Sequence, residues 1–272
     1  MNAALALLCG LLIGSFLNVC IHRWPRGRSV IRPRSHCVRC RKTIAWYDNI
    51  PVVSYLILRG KCRHCGRPIS LRYPFVELAA GVLFAYFATT LGPTLEALKM
   101  CLFAAMVIAL IFADLEKRIL PDQFTLGGAA IGLAFAAVVP IHDLAAGPLL
   151  WVFGMKEDGR GEWFLEAALG ALLPASFLWL GGWIYEKVRR KEGLGFGDVK
   201  LMMMVGSFLG LQAALLTLLA GSVLGSIVSM FYIWAAKKDA ASYQLPFGSF
   251  LGAASLLVAI TGSRLLGLYG NL

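Results

Sequence analysis

Residues 2–34 read NAALALLCGLLIGSFLNVCIHRWPRGRSVIRPR, an apolar run followed at once by a dense basic stretch. A run of about twenty apolar residues is what an α-helix needs to cross the hydrocarbon core of a bilayer. The run has no basic residue before it and no small-residue cleavage site after it, unlike a signal peptide. Because lysines and arginines stay on the cytoplasmic side, these residues predict an uncleaved first span with its N-terminus outside.

The rest of the chain repeats the apolar pattern. Hydrophobic residues make up 58% of the 272 residues and charged residues only 15%, a balance too apolar for a soluble domain. Eight apolar runs are candidate membrane spans, of which the sixth is short and contains Lys200. They are residues 2–22, 75–92, 96–113, 123–141, 163–185, 199–212, 213–235 and 246–268.

The basic residues are concentrated in one block. Residues 23–74 hold 13 of the 26 lysines and arginines, and eight alternating spans place 22 of the 26 on the cytoplasmic side. Orientation in the membrane and contact with anionic lipid therefore explain this charge, and nucleic-acid binding is a poorer explanation. A second loop, residues 141–162, is expected on the outer side.

Two CxxC pairs lie in the basic block, Cys37-Val-Arg-Cys40 and Cys62-Arg-His-Cys65, separated by 21 residues. This spacing is typical of a zinc ribbon or knuckle, in which two turns each point two thiolates at one tetrahedral ion. The cytoplasm disfavours disulfides, and so small a block usually needs a metal to fold. We predict a structural Zn²⁺ site, with an iron site or unligated thiols as alternatives and His36 and His64 as possible substitute ligands.

The expected fold is therefore an all-α polytopic membrane protein. It has about eight transmembrane helices and a small cytoplasmic zinc-binding loop domain between helices 1 and 2. In this scheme residues 1–22 form the first transmembrane helix, residues 23–74 the four-cysteine domain, and residues 75–272 the membrane core.

Three aspartates lie at the edges of predicted spans, where acidic residues are costly unless they cap, pair or react. Asp114 and Asp122 occur in IFADLEKRILPD (111–122), between the third and fourth spans, and Asp198 ends GFGD (195–198) at the start of the sixth. Asp122 follows a proline and precedes an apolar run, so we expect it to cap a helix. Asp198 could cap in the same way, and Asp114 could pair with a basic residue one turn later.

A catalytic interpretation needs two carboxylates from different spans that share one proton. The ionised carboxylate then activates a water molecule, while the protonated one polarises a scissile carbonyl. All three aspartates are expected on the cytoplasmic side and hence at similar depth. Gly195 and Gly197 suit such a site, because glycine lets backbone or an extended substrate approach closely.

Several stretches together resemble the type IV prepilin peptidase family, across nearly the whole chain. They are GSFLNVCIHRWP (14–25), WYDNIPVVSY (46–55), RGKCRHC (59–65), ISLRYPFVE (69–77), the Asp114 segment and GFGD (195–198). The resemblance implies that Asp114 and Asp198 are the catalytic pair of a membrane aspartyl endopeptidase. It also implies a multi-pass protein of the cell inner membrane, cutting on the cytoplasmic side after the glycine that ends a short basic leader.

The resemblance further implies the substrates and a second activity. The substrates are type IV prepilins or the pseudopilins of type II secretion. Many members with the full cysteine loop also methylate the new N-terminal residue with S-adenosylmethionine, and the family gives importance to Gly60 and Lys61. Without the resemblance, Lys61 is equally well explained as one more basic residue that fixes orientation.

Two other functions compete with the peptidase. Membrane acids also occur in transporters and channels, although they usually lie near the bilayer midplane rather than at one interface. A noncatalytic assembly protein could use a zinc loop to dock its partners. Replacing an aspartate with asparagine separates these classes, because only the peptidase loses prepilin cleavage while the protein remains present.

Overall fold

The computed structural model describes residues 2–141, 151–152, 160–190, 194–236 and 246–269, with the side chains of the last helix described to residue 261. Within these residues the chain is helical and has no strand beyond two isolated bridges. It divides into two compact units, Met1–Ala109 and Leu110–Leu272. Most of the expected outer loop, 141–162, lies outside the described residues.

Nine helices have bounds within the described residues, along with two short 3-10 turns at Trp24–Arg26 and Trp46–Asn49. They are α1 (Ala3–Arg23), α2 (Val53–Ile57), α3 (Arg72–Thr90), α4 (Leu95–Lys117), α5 (Asp122–Ala136), α6 (Arg160–Arg189), α7 (Phe196–Leu209), α8 (Leu211–Ala236) and α9 (Phe247–Tyr269).

A helix lies at each of the eight predicted apolar runs, but not all are long enough to be spans. In the described part of the chain, α1, α3, α4, α6 and α8 are long and apolar enough to cross a membrane. α5 and α7 have 15 and 14 residues. At 1.5 Å per residue they are about 22 and 21 Å long, against a hydrocarbon core of about 30 Å. The helical, multi-pass fold is thus confirmed, and eight crossings stay a prediction.

In the first unit, α1 and α3 pack closely as an antiparallel pair. A Cβ added at Gly10 would lie 2.6 Å from the carbonyl oxygen of Ala80, and one at Gly14 would lie 2.6 Å from the Cα of Glu77. Small residues allow this approach, which is how helices pack where lipid supplies no hydrophobic driving force. The first of the family-like stretches, which begins at Gly14, therefore forms a helix contact.

Polar side chains at the end of α1 fix the chain as it enters the cysteine loop. The Asn18 amide donates to the carbonyl oxygen of Tyr73 over 3.0 Å. The buried Arg23 guanidinium donates to backbone carbonyl oxygens of the following turn, those of Ser29, Val30 and Pro33. A buried cation with carbonyl partners is compensated, so Arg23 shapes residues 29–33 into a defined turn.

In the second unit, the short helix α7 is enclosed by protein. It packs against α5, α6, α8 and α9, and the side chains of Leu201, Met202 and Met204 are fully buried. Its contact with α6 is through backbone, since a Cβ at Gly170 would lie 2.7 Å from the carbonyl oxygen of Gly206. This enclosure explains why α7 need not be as long as a lipid-facing span, and it fixes the end that carries Asp198.

Candidate functional site

Two of the three predicted aspartates are buried in the second unit. Asp114 lies at the end of α4 and is 6% exposed, and Asp198 lies in the first turn of α7 and is 8% exposed. The residue that caps α7 is Gly195, and no side chain makes a capping hydrogen bond there. Capping therefore does not account for Asp198. Burying a carboxyl group is costly without a partner or a reaction to serve.

The two carboxyl groups converge at the start of α9. A Cβ added to Gly248 would lie 2.9 Å from Oδ1 of Asp198 and 3.3 Å from Oδ2 of Asp114. One point in space is thus close to both groups, and these two oxygens lie no more than about 6.2 Å apart, the sum of these two distances. The structure brings together the pair on which the catalytic interpretation depends.

Ser249 connects α9 directly to Asp114. Its backbone N–H and its hydroxyl Oγ both lie 2.7 Å from the same oxygen, Oδ2 of Asp114. Oγ also lies 3.1 Å from the carbonyl oxygen of Ile111, one turn earlier in α4. The site is therefore built from α4, α7 and α9.

Leu120 forms an apolar side of this site. A Cβ at Gly197 would lie 3.2 Å from the Cβ of Leu120, and one at Gly248 would lie 2.9 Å from its Cδ1. The glycine in front of Asp198 thus makes room for a leucine packed beside the carboxyl groups. We expected backbone or an extended substrate to approach this glycine, and in the structure the group that approaches Gly197 is the Leu120 side chain.

Asp122 has a different partner from the one expected. The residue at the cap position of α5 is Pro121, and no side chain makes a capping hydrogen bond there. The Asp122 carboxylate instead lies 2.7 Å from Nζ of Lys200 on α7. The capping prediction is therefore wrong, because a long-range cation competes successfully for the carboxylate. Asp122 is exposed, whereas the catalytic candidates are buried.

Sequence reasoning missed Gly248 and Ser249. Their segment, Pro246-Phe247-Gly248-Ser249, opens an apolar run and is unremarkable as a helix start. A small residue followed by a hydroxyl at a membrane-edge helix start was the available signal. That signal is weak unless the aspartates are already known to lie opposite.

Four sulfur atoms gather in the first unit. The Sγ atoms of Cys37, Cys40, Cys62 and Cys65 all lie within 4.8 Å of one another, and Cys37 Sγ is 4.0 Å from Cys65 Sγ. A tetrahedral zinc site with Zn–S bonds of about 2.3 Å has sulfur atoms about 3.8 Å apart. The four thiols thus fit one ion. Neither His36 nor His64 belongs to this group among the described residues.

The two cysteine turns share one backbone pattern. In the first, Cys37 N–H donates to the carbonyl of Lys42 over 3.0 Å; in the second, Cys62 N–H donates to the carbonyl of Arg67 over 2.9 Å. The residue after each second cysteine has positive φ, 57° at Arg41 and 66° at Gly66. Backbone N–H groups of Cys65 and His64 lower the pKa of the Cys62 thiol to about 7. Amides directed at sulfur favour the thiolate that a metal needs.

Two contacts support the segment between these turns. Arg63 makes a two-pronged ion pair with Asp48, with both nitrogen–oxygen distances 2.7 Å, and this contact lowers the pKa of the Asp48 carboxyl. Glu77 of α3 accepts a hydrogen bond from the N–H of Val52 over 2.8 Å. The loop is thereby attached to α3 as well as to the cysteine cluster.

Gly60 and Lys61 differ in their surroundings. Gly60 is buried with φ +66°, and a Cβ there would lie 2.8 Å from the hydroxyl oxygen of Tyr55. Lys61 is exposed at the start of the second cysteine turn. The positive φ and the nearby Tyr55 hydroxyl together favour glycine at position 60. Neither residue displays a feature, in the described part of the loop, that identifies a methyl-donor site.

Comparison with known proteins gives the family. A model of the Bacterial Peptidase A24 N-terminal domain matches residues 8–91, and one of the Type IV leader peptidase family matches residues 101–230. A protein of Burkholderia pseudomallei named prepilin leader peptidase/N-methyltransferase is 33% identical over 98% of this chain and 89% of its own length. The chain belongs to the type IV leader peptidase family.

Other members of this family with the same printed name are similarly close. The protein of Aeromonas hydrophila is 34% identical over 96% of this chain and 91% of its own length. That of Myxococcus xanthus is 38% identical over 84% of this chain, which spans 62% of that relative. No solved structure matches the chain. The predicted family and the predicted leader-peptidase class of enzyme are confirmed.

The matched ranges include the whole cysteine cluster but only part of the aspartate site. The N-terminal match includes all four clustered cysteines, and the leader-peptidase match includes Asp114 and Asp198. It stops before Gly248 and Ser249, the residues that meet the carboxyl groups at α9. The family match alone therefore does not identify the third helix of the site.

Proposed function

We propose that this leader peptidase cleaves the short basic leader of type IV prepilins or pseudopilins, with Asp114 and Asp198 as the catalytic pair. One observation carries the proposal. Two buried carboxyl groups from different helices approach one point beside Gly248, in a chain whose family consists of leader peptidases. Relatives named prepilin leader peptidase/N-methyltransferase support the substrate class.

The chemistry is hydrolysis by a carboxyl pair that holds one proton. A water molecule between the two groups gives a proton to the ionised carboxylate as its oxygen bonds to the scissile carbonyl carbon. The protonated carboxyl gives its proton to the carbonyl oxygen. The tetrahedral intermediate then releases the amine, which leaves with a proton from the pair. One water molecule is consumed, and the pair returns to its starting state.

The charge distribution supports a cytoplasmic orientation of the site. The ends of the helices that carry Asp114 and Asp198 are next to basic residues, including Lys117, Arg118 and Lys200. Positive charge at span ends marks the cytoplasmic side, which supports cleavage there and a location in the inner membrane. The basic leader of a prepilin is expected on the same, cytoplasmic side, because its positive charges disfavour transfer across the membrane.

The cysteine cluster is proposed to hold one structural Zn²⁺ through Cys37, Cys40, Cys62 and Cys65. When bound, the metal cross-links the two turns and leaves no open coordination position, so it takes no part in cleavage. The chain's own contacts, Arg63 with Asp48 and Glu77 with Val52, then orient the segment between the turns.

N-methylation of the new N-terminus is the second proposed activity, with S-adenosylmethionine as the methyl donor. The names of the relatives support it. We derive no transfer step from Gly60 and Lys61, because one is a buried turn residue and the other an exposed cation. Their proposed connection with methylation rests on the family resemblance. Cleavage must precede methylation, since the N-terminal amine that is methylated exists only after the leader has been removed.

The test of cleavage is intact-mass analysis of a co-expressed prepilin. Asp114→Asn and Asp198→Asn should each abolish leader removal while the protein stays folded in the membrane. Since the pair acts as a unit, the double variant should be no worse than either single one. Substantial cleavage by either single variant would remove that residue from the pair.

The same measurement tests methylation. Lys61→Ala removes an exposed cation and leaves the turn intact, so it should give leader-free pilin with an unmethylated N-terminus. A bulky residue at Gly60 is a poorer probe, because it would collide with Tyr55 and disturb the cysteine loop. Full methylation by Lys61→Ala would refute the role of Lys61, and methylated but uncleaved prepilin would refute the order.

A further inference from the structure

We propose that Ser249 is a positioning residue that holds Asp114 as the ionised member of the pair, so that the shared proton resides on Asp198. The inference rests on the proposed peptidase function and deepens it, because it assigns the base and the acid. It is argued from the hydrogen bonds at the start of α9, whose contact residues lie outside the family-matched range.

The hydrogen bonds to Asp114 favour its ionised form. A backbone N–H can only donate, so Oδ2 of Asp114 must accept from Ser249 N, and the 2.7 Å distance is that of a charge-assisted bond. The Ser249 hydroxyl has one hydrogen and two acceptors in reach, Oδ2 of Asp114 at 2.7 Å and the carbonyl oxygen of Ile111 at 3.1 Å. The shorter contact makes the hydroxyl a second donor to Oδ2. Oδ2 therefore carries no proton, and two donors on one oxygen favour the ionised form of the group over the neutral form. Ser249 is buried, so water does not replace these donors.

The position of Ser249 in the helix acts in the same direction. It lies in the first turn of α9, where N–H groups have no full partner within the helix and the helix dipole favours a negative charge. Its N–H also lies 3.2 Å from the carbonyl of Pro246, a longer contact than the one to Asp114. Asp114 is therefore the better acceptor, and its carboxylate supplies a partner for an N–H group in the first turn of α9.

Asp198 has no comparable support for a charge. Among the described residues, its carboxyl group accepts no hydrogen bond, and its neighbours are the backbone of Gly248 and the glycine turn at Gly195. Among the described residues, the charged groups that face Asp114 are Asp198 on α7 and Arg118 after α4, and the contact from α9 is Ser249. The cation and both donors favour charge on Asp114, so the second carboxyl keeps the proton.

The roles in the reaction follow. Asp114 takes the proton from the attacking water, and Asp198 gives its proton to the carbonyl oxygen of the scissile bond. When the carbon–nitrogen bond breaks, the proton held by Asp114 goes to the leaving amine. The carbonyl re-forms and its proton returns to Asp198. Ser249 touches neither water nor substrate in this scheme; it acts through Asp114.

The experiment is a pH–rate profile for cleavage of a prepilin by purified full-length protein in detergent. Ser249→Ala removes the hydroxyl donor and keeps the N–H. We expect the acid limb of kcat to move up by about one pH unit and maximal kcat to fall about tenfold, with KM unchanged. Ser249→Thr keeps a hydroxyl and should restore the profile, and Ser249→Cys, a weak donor, should lie between.

Ser255→Ala is the matched control. Ser255 is fully buried in the same helix, and its hydroxyl bonds only to the carbonyl of Gly252 in the part of the chain described. Loss of a buried hydroxyl from α9 should by itself leave the pH profile unmoved. If Ser249→Ala does not fold, the comparison of Ser249→Thr with Ser249→Cys still decides the outcome.

Two results would overturn the inference. An unmoved acid limb in Ser249→Ala and Ser249→Cys would show that Ser249 does not hold the base, and movement of the basic limb instead would assign the acid to Asp114. In either case Asp114→Asn separates the two proposals. If that variant is inactive, only the inference about Ser249 fails; if it cleaves normally, the peptidase assignment itself fails.

Discussion

Replacing Gly248 with alanine would place a methyl group beside both carboxyl groups. The added Cβ would lie 2.9 Å from Oδ1 of Asp198, 2.9 Å from Cδ1 of Leu120 and 3.3 Å from Oδ2 of Asp114. Non-bonded contacts to carbon are most favourable at about 3.5–4.0 Å, so both Asp198 and Leu120 must move by roughly half an ångström or more. Leu120 is a flexible side chain, whereas both carboxyl groups belong to the site.

The size of the effect can be worked from that displacement. Overpacking of one methyl group in a well-packed interior costs about 1–3 kcal/mol. If that whole cost falls on the reactive geometry, kcat drops by roughly 5- to 150-fold, since each 1.36 kcal/mol is a factor of ten. Misplacement of reacting groups by about 1 Å has effects of similar size. KM should change little, because Gly248 is not expected to bind the leader.

The assay is steady-state cleavage of a prepilin by the purified variant in detergent, with thermal unfolding measured on the same preparation. Gly181→Ala is the matched control, because it adds the same methyl group within α6 at a position with open space around it. That variant should keep the wild-type kcat. A Gly248→Ala protein with wild-type kcat would refute the reasoning, since the site would then tolerate a methyl group close to both carboxyl groups.

Two further predictions concern the cysteine loop and Asp122. Purified protein should contain about one zinc per chain, and Cys62→Ser should lose it and reduce methylation while cleavage survives; metal analysis giving less than half an equivalent of any metal would contradict this. Asp122→Asn should lower cleavage less than about fivefold, because it removes only an exposed ion pair with Lys200, worth about 1 kcal/mol at most. A loss as large as that of Asp198→Asn would place Asp122 in the catalytic machinery.

The helices were predictable because long apolar runs leave few alternatives. Each of the eight runs contains a helix, and the spacing of the cysteine pairs predicted the sulfur cluster. Span length was less predictable. α7 is apolar but is covered by neighbouring helices, so its composition reflects burial in protein as much as contact with lipid.

Long-range polar contacts were the part that the sequence could not predict. Ser249 and Asp114 are 135 residues apart, and Lys200 and Asp122 are 78 residues apart. Local rules assigned Asp122 to a cap, because a proline and an apolar run are visible in the sequence and a distant lysine is not. The pairing of Asp114 with Asp198 was predicted from family resemblance. The structure shows that both carboxyl groups lie against the start of α9, which the sequence did not indicate.

The placement of the third contributor near the C-terminal end also has a consequence for synthesis. A ribosome-bound chain that has inserted α4 and α7 already carries both aspartates, but Gly248 and Ser249 have not yet emerged. At about 5–20 residues per second, the interval from residue 198 to residue 249 lasts several seconds. During that time Asp114 lacks its two donors, so the proposed role of Ser249 implies that the nascent chain is inactive until α9 has been made.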